Sequence, residues 1–217
     1  MSLTLYLHPL SSFCHKALIA FYENGTPFTP QVVNLGEPAS TAAFKAIWPI
    51  GKFPVLRNEA TNHLIPESTT IIEYLDQHYP GKTRFIPDDP DLARRTRFRD
   101  RFCDLHIHTP MQKIVTDRIR PAGKNDPHGV EDAKRTLSAA LDILNGAMAS
   151  NTWVMGDNFT LADCAAAPAL FYTDIVVAPL AGSHPNVDRY LKRLMERPSY
   201  ARALDEARPY LHMVPKA

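Results

Sequence analysis

Two hydrophobic periods run through this chain, and the point where one of them stops constrains the fold more than any other feature. Through the first eighty residues, short strand-like runs such as "LTLYL" (3–7) alternate with stretches of helical spacing; after about residue 90 only the helical period remains. The strand candidates are "LTLYL", "FTPQVVNL" (28–35) and the pair "FPVLRN" and "NHLI", joined by a polar turn. Between and after them lie helices at 12–24, stopped by Asn24-Gly25, at 40–47, and at 67–81, stopped by Pro-Gly. The order strand, helix, strand, helix, strand, strand, helix predicts an α/β domain: a mixed four-stranded sheet with three helices packed on it. The proline-rich, aperiodic "KTRFIPDDPD" reads as a linker. The expected division is therefore residues 1–80, a linker over 81–90, and an all-α helical bundle over 91–217.

Within the helical part, "LARRTRFRDRFCDLHIHTPMQKIVTDRIR" predicts one long helix. One apolar stripe runs through Phe98, Phe102 and Leu105 and another through Cys103, Ile107, Met111 and Ile114, with a bend expected at Pro110. Further helices are expected at 129–150, 161–177, 186–195 and 199–208. In "NFTLADCAAAPALF", Thr160 and Asp163 have the spacing of a capping box.

Charge and cysteine content narrow the partners. The 24 Lys and Arg residues balance 23 Asp and Glu, so no global field directs the protein to nucleic acid or to an anionic membrane. The arginines of "ARRTRFRDR" (93–101) fall into two rows with acids at helical spacing, which reads as a solvated or dimer-facing helix. No window approaches ~18 uninterrupted apolar residues and no leader precedes the first strand, so the expectation is a cytoplasmic protein. Cys14, Cys103 and Cys164 are an odd, widely spaced set that fits neither a disulfide framework nor a metal site.

Three segments of the first domain carry the chemistry: "SSFC" (11–14) at a strand-to-helix turn, "GKFPV" (51–55) entering a strand, and "PES" (66–68) opening a helix. Helix N-termini offer unpaired N–H groups and a positive dipole end, suited to a thiolate and a carboxylate. A strand entered through proline offers main-chain groups to an extended peptide. Together they suit a short anionic thiol peptide.

With "GKFPVL", "IPES", "IIEYLD" and the later "FTLADCAAAP" in place, the chain resembles the cytosolic glutathione S-transferases over nearly its whole length. Within them it looks like the serine-type (theta-, delta- and zeta-like) branches, as a bacterial-looking member. The resemblance implies a thioredoxin-like first domain, glutathione as co-substrate, no metal, a homodimer and a detoxification role. It further implies a cis peptide before Pro54 and pairing of the Phe53 main chain with the cysteinyl part of glutathione. The γ-glutamyl end would be held by Glu67 and Ser68, and the glycyl carboxylate would lie near Lys52.

The "SSxx" turn puts Ser11 beside the glutathione sulfur, with Phe13 in the same turn. A hydroxyl that donates to sulfur favours thiolate over thiol, and the helix N-terminus adds to that. Ser12 is the expected N-cap of the helix and an alternative catalytic hydroxyl. Cys14 offers a different chemistry, glutathione-dependent disulfide reduction, peroxidation or isomerisation; its place about one turn into the helix reads equally as burial. Tyr6 is a further candidate for the catalytic hydroxyl, and His15 for a general base. The resemblance assigns the electrophile, hydrophobic or partly polar, to Cys103, His106, Ile107, Pro110 and Met111, with "PYLHMVP" (209–215) as a lid. A non-catalytic binding or interaction module on the same fold is the remaining alternative.

Overall fold

The computed structural model describes residues 2–215. Strands β1 (Leu3–Leu7), β2 (Thr29–Val32), β3 (Val55–Asn58) and β4 (His63–Pro66) form one sheet in the order β2-β1-β3-β4. β1 runs parallel to β2 and antiparallel to β3, which is itself antiparallel to β4. Pro30 is accommodated because β2 is an exposed edge strand, where a missing N–H costs little. Alternation along β1 sends Leu3, Leu5 and Leu7 into the core and turns Tyr6 to the opposite face, where its ring meets Phe44.

Three helices interleave with the strands: α1 (Ser12–Asn24), α2 (Pro38–Ile47) and α3 (Ser68–His78). α1 ends where the sequence predicts, with Gly25 at φ 63° accepting the left-handed turn that closes the helix. The chain then continues through α4 (Pro90–Phe102), α5 (Thr109–Arg118), α6 (Pro127–Ala147), α7 (Leu161–Val176), α8 (Pro185–Glu196) and α9 (Pro198–Ala207). No helix among the described residues is long and apolar enough to cross a membrane.

Two findings differ from the sequence pattern. The long helix expected after the linker is α4 and α5 joined by a π-helical segment, Cys103–His108, whose wider turn has the Thr109 N–H bonding to the Asp104 carbonyl. The segment ends just before Pro110, which has no N–H to continue the ordinary ladder. The second stripe, Cys103, Ile107, Met111 and Ile114, is core throughout; of the first, Phe102 is buried while Phe98 and Leu105 are exposed.

The second finding concerns domain membership. One compact unit comprises the chain up to Phe85 together with Pro198–Tyr210, and the other comprises Ile86–Arg197 with the stretch from Leu211 on. α9 therefore packs with the sheet-bearing unit. The Ser199 hydroxyl donates to Glu23 at 2.8 Å, the Tyr22 hydroxyl donates to Glu206 at 2.6 Å, and Arg202 lies over the Tyr22 ring. These contacts join α9 to α1 across about 180 residues of sequence, which no local pattern signals.

In the helical unit, the start of α7 is closed by its own side chains. Thr160 and Asp163 form the expected capping box, and the buried Asp163 also accepts from the Val154 N–H at 2.9 Å and the Tyr190 hydroxyl at 2.6 Å.

Candidate functional site

Strand register alone gathers the three segments. Tyr6 pairs with Val55 and Val55 with Pro66. The exit of β1 into the turn before α1, the entry to β3 at Phe53-Pro54, and the exit of β4 into Glu67-Ser68 therefore share one end of the sheet. A hydrogen bond of 2.8 Å from the buried Lys16 Nζ on α1 to Thr69 Oγ1 fixes the start of α3 against α1.

At the first segment the structure corrects the choice of cap. Ser11, not Ser12, is the N-cap of α1: its backbone is extended and its Oγ accepts from the Cys14 N–H at 3.4 Å. Ser12 is the first helical residue. The physical reason is the tight turn before it, in which the Ser11 N–H bonds to the His8 carbonyl at 2.9 Å and the helix can begin only after Ser11. An oxygen that caps by accepting keeps its proton to donate, so Ser11 can cap and serve a ligand at once. Ser11, Ser12 and Phe13 are all half-buried.

Cys14 and His15 lie behind this turn. The Cys14 side chain is fully buried and desolvation pushes its thiol up to about 12, with Ser11 and the His8 main chain pulling only part of the way back. The thiolate is the reactive form, so Cys14 is a core residue at neutral pH. His15, also fully buried, is held neutral by desolvation, at about 4, and its Nε2 donates to the Pro9 carbonyl at 2.6 Å. It braces the turn that presents Ser11. Tyr6 packs with Val33, Phe44 and Val55 in a small cluster on the other face of the sheet.

At the second segment the Phe53-Pro54 peptide is cis, Pro54 is buried, Phe53 is half-buried and Lys52 is exposed. At the third, Glu67 stands at φ 71°, ψ 125°, its side chain exposed and making no capping bond. A non-glycine residue in that region carries about 1–3 kcal/mol of backbone strain and persists where surrounding structure or function demands it. Ser68 follows as the first residue of α3, 4% exposed, and among the described residues its hydroxyl has no hydrogen-bond partner. This is a helix N-terminus without internal closure, the condition that favours an anion.

Sequence reasoning missed His8 and did not single out Tyr210. His8, half-buried, lies with its ring 6.2 Å from Phe53 in a near-parallel stack and 5.0 Å from Tyr210 edge-on. Tyr210 belongs to a short 3₁₀ segment, Arg208–Met213, that follows α9. The signal for His8 was only its position three residues before Ser11, and for Tyr210 its place in the "PYLHMVP" stretch expected as a lid. In the helical unit, Cys103 and Ile107 are fully buried and Pro110 and Met111 are buried, whereas His106 is exposed with its ring 5.5 Å from Phe102. Among the described residues, no group of three or more His, Cys, Asp or Glu is gathered as a metal would require.

A mixed β2-β1-β3-β4 sheet with a cis-proline at the head of its third strand, followed by an all-helical unit, defines the thioredoxin-like plus helical fold. Two family models match the chain: glutathione S-transferase, N-terminal domain, over residues 5–83, and glutathione S-transferase, C-terminal domain, over residues 102–198. A glutathione S-transferase-like protein of Fusarium sp is 30% identical over 188 residues, covering 83% of this chain and 83% of its own. The crystal structure of a glutathione S-transferase from Methylobacterium radiotolerans, in complex with glutathione sulfonate, is 27% identical with a TM-score of 0.81, over 100% of this chain and 96% of that one. A probable elongation factor 1-gamma of Arabidopsis thaliana is 27% identical over 96% of this chain, which spans 50% of that protein. The chain belongs to the cytosolic glutathione S-transferase family.

Proposed function

We propose that this glutathione S-transferase binds glutathione at the open end of its sheet and uses Ser11 to favour the thiolate, which then attacks an electrophilic small molecule. The observation that carries the reading is the register Tyr6–Val55–Pro66, which supports a single site built from Ser11, Phe53-Pro54 and Glu67-Ser68. In this reading the Phe53 main chain pairs with the cysteinyl unit. The Ser68 hydroxyl and N–H hold the γ-glutamyl carboxylate at the N-terminus of α3, Glu67 takes the γ-glutamyl amine, and Lys52 stands near the glycyl carboxylate.

The thiol then lies by Ser11 and the start of α1. A free thiol titrates near ~8.5, and lowering it by two units takes ~2.7 kcal/mol. One charge-assisted hydrogen bond with a helix dipole is of that size. Ser11 is favoured over Ser12 because its oxygen lies at the N-cap of α1, outside the first helical turn. Of the residues proposed for the electrophile, His106 is exposed, while Cys103, Ile107, Pro110 and Met111 are buried. The serine-type assignment rests on the "SSFC" turn, and a cytoplasmic homodimer is the setting the family implies.

The alternative that uses Cys14 lacks a thiolate to act with. The decisive experiment is the ultraviolet difference spectrum of bound glutathione against pH. A thiol pKa well below the free value in the wild type, raised by about 1–2 units in Ser11→Ala, is the expected result. A depression that survives in Ser11→Ala and vanishes in Ser12→Ala would transfer the role to Ser12.

A further inference from the structure

The turn that carries Ser11 also holds a hydrogen-bond donor that nothing among the described residues uses. The Leu10 N–H donates to His8 Nδ1 at 3.1 Å. That bond requires Nδ1 to be unprotonated, so the neutral ring carries its hydrogen on Nε2. Burial lowers the pKa of His8, which keeps the ring neutral above the ordinary histidine range. Among the described residues, Nε2 has no acceptor. Contacts with the Phe53 and Tyr210 rings hold the imidazole in this orientation.

The direction this donor serves follows from its neighbours. Ser11 and the start of α1 already face the sulfur, and the Phe53 main chain is taken by the cysteinyl unit. His8 is flanked instead by Tyr210, from the segment after α9, which none of the three proposed glutathione-holding segments contains. We propose that His8 donates from Nε2 to the electrophile, which makes this site selective for electrophiles whose reacting carbon is conjugated to a carbonyl oxygen. Tyr210 orients the ring. This rests on the glutathione reading above.

The chemistry balances without a further reactant. The thiolate sulfur forms a bond to the β-carbon of an α,β-unsaturated carbonyl, the C=C π pair shifts, and negative charge develops on the carbonyl oxygen. A fixed neutral donor stabilises that charge more than it stabilises the uncharged ground state. The proton lost when glutathione ionised returns through water to the α-carbon. A benzylic halide reacts by displacement and develops no such oxygen charge, so it provides the contrast.

The test compares wild type, His8→Phe, His8→Gln and Tyr210→Leu with 4-phenylbut-3-en-2-one and with benzyl chloride, after glutathione affinity and thiol pKa are measured for each. The expected result is a 10- to 100-fold fall in the enone-to-halide ratio of kcat/KM for His8→Phe. Most of that ratio should return in His8→Gln, which keeps an N–H donor, and Tyr210→Leu should lower it about 3- to 10-fold. An unchanged ratio in His8→Phe, or in Tyr210→Leu if the histidine variants fail to fold, overturns the proposal. A rise in the thiol pKa of His8→Phe would also overturn it, by making His8 a ligand of sulfur. Absence of glutathione binding in the wild type would overturn the underlying reading as well.

Discussion

The N-termini of α7 and α3 solve the same problem in opposite ways. Every helix begins with N–H groups that have no partner inside it. At α7, Thr160 and Asp163 satisfy these groups reciprocally, and the carboxylate also takes the Val154 N–H and the Tyr190 hydroxyl, so the end is both closed and buried. At α3, Glu67 makes no capping bond and stands in a strained conformation, and the Ser68 hydroxyl has no partner among the described residues. A chain able to build a four-bond cap at one helix leaves another open at the end of the sheet. The difference teaches which end serves the fold and which is left for the ligand proposed above.

The comparison breaks most readily at its closed end. Asp163→Ala leaves several buried donors without an acceptor and should cost about 3–5 kcal/mol, read as a lower urea midpoint, while the protein that remains folded binds glutathione as before. A loss below about 1 kcal/mol would mean that α7 does not depend on its cap. Asp163→Asn, which keeps one acceptor oxygen, should lose less.

The next largest effect sharpens the contrast at α1, whose Ser11 cap is braced from behind by His15. The unfolded chain protonates this histidine as pH falls through about 6.5, whereas the folded state resists until about 4. The unfolded state therefore binds more protons in that window. The stabilisation is complete above about 6.5 and is lost as pH falls toward 4, by about 3 kcal/mol in all. Urea unfolding of wild type and His15→Gln at pH 7 and pH 4 should show this part of the acid sensitivity missing in the variant. Parallel pH dependences would remove His15 from the account.

How much of this was legible depends on the range of the interactions concerned. The end of α1 at Asn24-Gly25, the β3–β4 hairpin and the Thr160–Asp163 box are written in residues within a few positions of one another, and the structure shows each of them. The three segments of the candidate site were legible as local motifs, and the observed strand register brings them together. The cap was misassigned because two adjacent serines are equivalent by propensity; the His8–Ser11 bond that chooses between them depends on the path of the turn. The return of α9 to α1 rests on Tyr22–Glu206 and Ser199–Glu23, pairs far apart in sequence whose members each look like ordinary surface residues. The π segment before Pro110 and the strain at Glu67 are conformational responses to packing, and no pattern of residue types encodes them directly.

At the open end, Ser68→Ala removes a hydroxyl that the proposed reading assigns to a carboxylate. A hydrogen bond to a charged group is worth about 1.5–3 kcal/mol, so calorimetric affinity for glutathione should fall about 10- to 100-fold. Thermal stability should stay within about 0.5 kcal/mol, because the hydroxyl has no partner among the described residues. The reverse pattern, lost stability with affinity intact, would make Ser68 a folding residue and erase the difference between the two helix ends.

The smallest effect tests the strain itself. Glu67 at φ 71° holds a conformation that glycine adopts without a side-chain penalty, although glycine also gains freedom in the unfolded chain. Glu67→Ala keeps the strained backbone and removes the carboxylate, and Glu67→Gly removes both. Glutathione affinity should therefore fall equally in the two variants, since each lacks the group proposed to meet the amine. Their stabilities should differ: Glu67→Gly should exceed Glu67→Ala by about 1 kcal/mol, the relief of strain less the entropy of glycine. That pairing separates two costs borne by one residue, a side chain kept for a ligand and a backbone held out of its preferred region to present it. Equal stabilities would mean that the conformation at Glu67 is unstrained, and the open end of α3 would then differ from the closed end of α7 only in what its side chains bind.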